Sequence, residues 1–348
     1  MKAINAPPMN EHRAASVAQK NGDINMRLKL LKSTATALIM WAAATGASFS
    51  QTWPAKPIEL VHGFAAGGQA DIVARLIAQG LTERLKSPVV VVSRSGAGGN
   101  LASESVTRAT PDGHTLILLT GGHAVSAALY KNLKFDPVKD FAFVSPISIN
   151  PFVLVVRKDS AITDIASLIA AAKKQPGRIT YSSVGIGSTQ HLVGELFASS
   201  TDTQLTHVPY RGGGAPMADL LGGQIDLNID SIAATRSAIE SGRARAIGIT
   251  SADKWPTLPS IEPVSAVQPG FAVTSWIGIA APAATPQPIV SRLNTELQSL
   301  LADQQFQQRL LDNGSRVNPG SPEDLRRLVT SEIDRWTKVI SKAGIERN

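Results

Sequence analysis

The residues whose types and spacing most clearly indicate a binding function form a glycine turn, Phe-Ala-Ala-Gly-Gly-Gln-Ala-Asp at residues 64–71. The apolar run at 58–61 predicts a short strand before it, and apolar residues at helical spacing over 72–85 predict a helix after it. Such a helix directs its unpaired N–H groups and positive dipole end at whatever lies above the turn. The sequence therefore predicts an anion-binding site here.

More glycine turns follow predicted strands, at residues 95–100, 120–123, 182–188 and 210–214. Each one alone is more typical of a structural turn than of a ligand site, because any reversal of a sheet requires one. Taken together, they predict several sets of backbone N–H donors around one cleft. Donors of this kind suit carboxylates and other small anions.

Two charged side chains near these turns each have two interpretations. Asp71 and Arg75 lie four residues apart, and we favour an ion pair at a helix start over contact between Asp71 and a ligand ammonium group. Arg211 either pairs with a ligand carboxylate through both guanidinium nitrogens or lies at the rim of the cleft.

Other chemistries lack their motifs. No Gly-Lys-Ser/Thr closes a phosphate-binding loop, and Gly-Ala-Gly-Gly at 96–99 lacks the third spaced glycine of a dinucleotide site. There is no Gly-x-Ser-x-Gly, no His-Glu-x-x-His and no cysteine. We expect no catalytic residue, cofactor or metal, and we expect His191 to start a helix, touching the cleft or packing beneath it.

The N-terminal region contains the pattern of an export signal. Residues 26–50 have a basic start, an apolar centre over 35–44 and small residues at 45–50, which predicts a secretory signal peptide. Residues 1–25 form an extension without this pattern, and either Met1 or Met26 is the translation start. The apolar centre is about half the roughly 20 residues that span a bilayer. The pattern predicts a protein that is soluble in the periplasm after cleavage.

The charge of the chain gives no support to nucleic-acid binding. The formal net charge is +7, but the first 50 residues hold six of the 34 basic and two of the 27 acidic residues. The remainder carries only +3, without an arginine-rich run, so no nucleic-acid partner is expected.

Short apolar runs alternate with helical patterns from Trp53 onward, and the helices predicted include 165–174 and 215–221. This alternation predicts an α/β fold with mainly parallel sheets and a ligand site at the carboxyl ends of the strands. The apolar runs at 152–156 and 274–280 predict two hinge crossings. One lobe then comprises residues 51–156 and 274–348, and the other comprises residues 157–273.

Several motifs together resemble the Bug family of periplasmic solute receptors, the binding components of tripartite tricarboxylate transporters. They are Trp-Pro-Ala-Lys-Pro-Ile at 53–58, the turn and helix start at 64–75, Gly-Ala-Gly-Gly-Asn at 96–100, and Pro-Asp-Gly-His-Thr at 111–115. Further matches are Tyr130, 135–141, His-Val-Pro-Tyr-Arg-Gly at 207–212, 219–226 and Ala-Pro-Ala-Ala-Thr-Pro at 281–286. The likeness covers essentially the whole mature chain.

The resemblance implies a two-lobed, type II Venus-flytrap fold that clasps a small carboxylate between its lobes. It implies contacts from the first lobe by Phe64, Ala66, Gly67, Ala70, Asp71, Gly121 and His123. It implies contacts from the second lobe by Ser182, Ser183, Gly185, Gly187, Ser188, His191, Tyr210 and Asp230, with Arg211 added from the residues alone. His62-Gly63 departs from a usual Val-Pro pair, and Ser95 replaces a common proline.

The expected function is a receptor, a monomer by default, that captures a di- or tricarboxylate, an amino acid or an aromatic acid and delivers it to membrane permease subunits. A sensory receptor that presents its bound state to a signalling partner is the first alternative. A hydrolase on the same scaffold is the second.

Overall fold

Residues 53–347, which the computed structural model describes, contain ten strands and ten helices. The strands are β1 (Ile58–His62), β2 (Val89–Ser93), β3 (Thr115–Thr120), β4 (Phe141–Arg157), β5 (Thr180–Ser183), β6 (Thr206–Pro209), β7 (Leu227–Ser231), β8 (Ala244–Ile249), β9 (Thr274–Pro282) and β10 (Arg316–Val317). The helices are α1 (Gln69–Leu85), α2 (Asn100–Thr107), α3 (Gly121–Leu129), α4 (Ile165–Lys174), α5 (Thr189–Thr201), α6 (Ala215–Leu221), α7 (Ile232–Glu240), α8 (Gln287–Leu301), α9 (Gln304–Asp312) and α10 (Pro322–Lys342).

The described strands form one sheet with the order β2-β1-β3-β9-β4-β7-β5-β6, and β8 and β10 also pair with β4. Strand β1 is parallel to β2 and β3, and strand β5 is parallel to β6 and β7. The two parallel groups are connected through β9 and β4, which pair antiparallel with their neighbours. The predicted α/β architecture with mainly parallel strands is confirmed.

Strand β4 belongs to both halves of the sheet. It pairs with β9 as far as Pro151 and with β7 from Phe152 onward. The predicted apolar crossing at 152–156 is the second half of this strand, and its side chains are fully buried. The segment of the second predicted crossing, at 274–280, lies in strand β9, which pairs with β3 and with the first part of β4.

Capping residues define several helix starts. Asp164 accepts a hydrogen bond from Ser167 N, and Ser167 Oγ accepts one from Asp164 N, which is a capping box. Ser321 and Asp324 form the same arrangement at α10, where Pro322 occupies the first turn. The predicted bounds of α4 and α6 agree with the structure.

Three elements differ from the sequence prediction. The glycine turn at 120–123 opens directly into helix α3, where Thr120 accepts a hydrogen bond from Gly122 N at 3.3 Å. Helix α9 and the short strand β10 were not predicted.

The predicted extension (1–25) and signal peptide (26–50) lie outside the described residues. None of the helices in residues 53–347 combines the length and apolarity needed to cross a membrane.

Candidate ligand-binding site

A small cleft, partly open to solvent, lies where the two parallel groups of strands meet. The turn after β1, the crossing strand β4, strand β9 and the turns before α5, α6 and α7 all contribute to its wall. The lining residues are Phe64, Gly68, Gln69, Ala70, Thr120, Asn150, Phe152, Val184, Ser188, Thr189, Gln190, Gly212, Gly213, Asp230, Ser231, Ser275 and Ile277.

Four helices begin at this cleft. The residues that precede α1, α3, α5 and α7 are Gly68, Thr120, Ser188 and Ser231, and all four line the cleft. The first-turn N–H groups of a helix have no acceptor within the helix, and each helix start carries about half a positive charge. Four such starts around one space favour an anionic occupant.

The cleft lining formed by residues 53–347 has almost no charged side chains. Among the described lining residues there is no lysine, arginine or histidine, and Asp230 is the only carboxylate. Positive potential in the cleft therefore comes from backbone dipoles rather than from cationic side chains. An anion bound here is recognised by N–H groups and hydroxyls.

The turn at 64–71 is held by a buried carboxylate. Asp71, 4 % exposed, accepts from Gly67 N at 3.0 Å and pairs with Arg75 at 3.0 Å, and Nε2 of His62 lies 3.4 Å away. Burial opposes ionisation of this carboxyl, but the hydrogen bonds from Arg75 and Gly67 outweigh burial and lower the pKa of Asp71. The predicted ion pair with Arg75 is confirmed, and Asp71 itself lies outside the cleft lining.

We expect Asp71→Ala to lower the free energy of unfolding by about 1–2 kcal/mol, because Gly67 N loses its acceptor and the buried His62 loses the neighbouring carboxylate. Arg75→Gln removes only the exposed partner, so a much smaller loss is expected. Urea denaturation of both variants measures the difference. Equal losses in the two variants would contradict this assignment.

The turn at 183–188 is built from serine hydroxyls. Ser188 Oγ donates to the carbonyl of Gly185 at 2.6 Å and accepts from His191 N at 3.3 Å, so it fixes the turn and caps α5. Ser183 Oγ accepts from Gly185 N at 3.0 Å and lies 2.6 Å from Nε2 of His207. The hydroxyls of Ser183 and Ser188, at the two ends of the turn, therefore fix the direction of its N–H groups.

Two histidines pack beneath this turn. The rings of His191 and His207 are 4.3 Å apart, and Glu195 lies 3.9 Å from Nε2 of His191. Burial lowers the pKa of both rings, and the neighbouring His191 contributes to lowering the pKa of His207 to about 3. Both rings are therefore neutral at pH 7. His191 packs beneath the cleft turn, as one of its two predicted roles requires.

The turns on the two sides of the cleft approach each other closely. Ala65 N donates to the carbonyl of Arg211 at 3.0 Å, and Tyr130 Oη donates to the carbonyl of Ile186 at 3.3 Å. A Cβ atom added at Gly98 would lie 2.6 Å from the carbonyl oxygen of Ile186. A glycine is required at position 98, because its φ of 63° also lies in the left-handed region.

The structure brings a part of the predicted site residues to the cleft wall. Those that line it are Phe64, Ala70, Ser188 and Asp230. The others lie in the same turns or behind them, outside the lining: Ala66, Gly67, Asp71, Gly121, His123, Ser182, Ser183, Gly185, Gly187, His191, Tyr210 and Arg211.

Several of these outer residues have internal partners. Gly121 N donates to Ser275 Oγ at 3.2 Å, and Ser182 Oγ donates to Asn228 Oδ1 at 2.7 Å. Tyr210 Oη donates to Asp219 at 2.6 Å, and the Arg211 side chain is exposed at the rim. His123 lies in a cluster with Phe135 and Phe141, with its Nε2 2.8 Å from the carbonyl of Pro137. These residues shape the turns that surround the cleft.

Sequence reasoning missed polar lining residues on strands and helix starts. Thr120 and Ser231 each precede a helix, and a serine or threonine before an apolar helical pattern is a readable N-cap signal. Gln69, Thr189 and Gln190 follow the glycine turns directly. Asn150 lies on β4 and Ser275 on β9, and no local sequence pattern distinguishes them from other buried polar residues.

Comparison with known proteins identifies the family. The family model described as "Tripartite tricarboxylate transporter family receptor" matches residues 73–345. The chain is 36 % identical to the periplasmic binding protein BugD, with a TM-score of 0.81, over 85 % of this chain and 100 % of BugD. It is 36 % identical to an R. palustris protein solved with adipate, with a TM-score of 0.82, over 84 % of this chain and 99 % of that protein.

A third solved structure is MatC from Rhodopseudomonas palustris with bound malate. The identity is 33 % and the TM-score 0.79, over 83 % of this chain and 100 % of MatC. The likeness thus extends across both groups of parallel strands and the cleft between them. The chain belongs to the tripartite tricarboxylate transporter receptor family and has the two-lobed fold of periplasmic binding proteins.

Proposed function

We propose that the protein is a periplasmic receptor that binds a small carboxylate in the cleft described above. The observation that carries this proposal is the convergence of four helix starts on this cleft. This arrangement matches a small anion better than a cation or a neutral sugar. The structural neighbours solved with adipate and malate support the same chemistry.

Ligand capture proceeds by closure of two lobes about the crossing strands. The proposed lobes are residues 51–156 with 274–348, and residues 157–273. Polar contacts such as Ala65 N to the carbonyl of Arg211 join turns of the two lobes around the cleft. Closure removes water from the helix-start N–H groups, which strengthens their attraction for a bound carboxylate.

The proposed partners and location follow from the family. The receptor reaches the periplasm through the signal peptide at 26–50, and its loaded form docks on integral membrane permease subunits. We propose transport as the role, because the matching family model is that of a transporter receptor.

A thermal-shift screen of the chain from Gln51 tests the proposal. The panel contains adipate, malate, succinate, citrate, aspartate, glutamate and benzoate, with glucose and choline as uncharged and cationic controls. A ligand present at 100 times its dissociation constant adds about 2.7 kcal/mol of stability and raises the melting temperature. We expect a shift with one acid class and none with the controls. Shifts confined to the controls would contradict the proposal.

A further inference from the structure

Asp230 is the one described lining residue whose side chain carries a charge, and it is 5 % exposed. It lies near the end of β7, immediately before the residue that caps α7. Burying an ionised carboxylate without a cationic partner is costly. In a cleft arranged for anions, its presence requires an explanation.

The hydrogen bonds of Asp230 leave one oxygen available. Ser231 N donates to Oδ1 at 2.7 Å, and Gln190 Nε2 lies 3.5 Å from the same oxygen. Among the described hydrogen bonds, none ends on Oδ2. Burial raises the pKa of Asp230 to about 6, and the hydrogen bonds from Ser231 and Gln190 offset only part of that effect. The carboxyl is therefore mostly ionised at pH 7.5, with an acceptor oxygen unused.

Support of α7 alone does not explain an aspartate at this position. The hydrogen bond from Ser231 N needs only an acceptor oxygen, which an asparagine side chain also provides. Two other lining residues also have buried polar atoms without a described partner, Oε1 of Gln69 and Oγ1 of Thr189. The cleft thus has acceptor capacity in addition to the N–H donors of its helix starts.

We propose that the ligand carries, besides its carboxylate, an ammonium or hydroxyl group that donates a hydrogen bond to Asp230. This inference rests on the proposed function, since it names the class of acid that the same cleft selects. The carboxylate of the ligand faces the helix starts, and its donor group faces Oδ2 of Asp230. Amino acids and hydroxy acids satisfy both sides, whereas an unsubstituted acid leaves Asp230 buried beside an apolar methylene.

The test compares matched acids by isothermal titration at pH 7.5. Each carbon skeleton is used unsubstituted, as the 2-hydroxy acid and as the 2-amino acid: succinate, malate and aspartate; glutarate, 2-hydroxyglutarate and glutamate; adipate, 2-hydroxyadipate and 2-aminoadipate. For the skeleton that binds, we expect a substituted acid to bind at least about tenfold more tightly than the unsubstituted one. The relative affinities of the hydroxy and amino acids show which donor the site takes.

Asp230→Asn retains an oxygen for Ser231 N and removes the charge, so it should abolish most of that preference. Asp226→Asn is the matched control, because Asp226 is exposed and lies just before the same strand, outside the cleft lining. The control should keep the preference of the original protein.

The outcomes separate this inference from the proposed function. If an unsubstituted acid binds as tightly as its substituted partners, or if Asp230→Asn leaves the ratio unchanged, this inference is wrong and the carboxylate receptor stands. If no acid on the panel binds, both are contradicted. Should Asp230→Asn fail to fold, the affinity ratios of the original protein alone decide the question.

Discussion

Gly98→Ala is expected to weaken ligand binding about ten- to a hundredfold while each lobe remains folded. The added Cβ atom would lie 2.6 Å from the carbonyl oxygen of Ile186 and 3.2 Å from the carbonyl carbon of Gly187. Both are backbone atoms, so the two turns must separate to accept it. Overpacking of this kind costs about 1–3 kcal/mol, and each 1.4 kcal/mol is tenfold in affinity.

Gly177→Ala is the matched control for Gly98→Ala. Gly177 has a φ of 73°, close to the 63° of Gly98, but nothing lies within 4 Å of a Cβ atom built there. Both variants therefore carry similar backbone strain, and only Gly98→Ala separates the turns. Calorimetric titration with the acid that binds best gives the affinities. Equal affinity in the two variants would show that close approach of these turns is not needed for binding.

Acidification is expected to destabilise the fold through His123, with the loss occurring between pH 6.5 and 4. Burial lowers the pKa of His123 to about 4, and the hydrogen bond to the carbonyl of Pro137 recovers only part of that shift. Below pH 6.5 the unfolded chain takes up a proton on this ring while the folded chain does not. Unfolding is therefore favoured as the pH falls, and the effect levels off below about pH 4.

The expected size is about 3 kcal/mol in all, with a slope of about 1.4 kcal/mol per pH unit in the middle of the window. His123→Phe keeps an aromatic ring between Phe135 and Phe141 and removes the titrating group. Urea denaturation at several pH values should give this variant a shallower pH dependence by about that slope. The other buried histidines contribute to both proteins alike, so identical slopes would contradict a neutral, buried His123.

The sequence predicted the elements with strong periodic patterns. Helices α4 and α6 have the predicted bounds, since Asp164 caps the start of α4 and Pro216 lies in the first turn of α6. Helix α3 was missed because its sequence opens with Gly121-Gly122 and is rich in small residues, so the glycines were assigned to a turn. Helix α9 was missed because it is only nine residues long and buries only Phe306 and Leu310, which is too few apolar positions for a clear pattern.

The predicted turns border the cleft, but only some of the residues predicted for the site line it. Phe64, Ala70, Ser188 and Asp230 reach the cleft wall from those turns. Ser275 and Asn150 also reach it, although they are far away in sequence and lie on strands. Their positions depend on the pairing of β9 with β3 and β4, which is a long-range feature that local patterns do not encode.

Recognition of a carboxylate by helix starts is the central feature proposed for this cleft, and one titration tests it directly. The acid that binds best in the screen is compared with its primary amide, which has the same shape but no charge, at pH 7.5 and under identical salt. We expect binding of the acid at one site per chain and a loss of at least about tenfold for the amide. An amide that binds as tightly as the acid would contradict an anion site in this cleft.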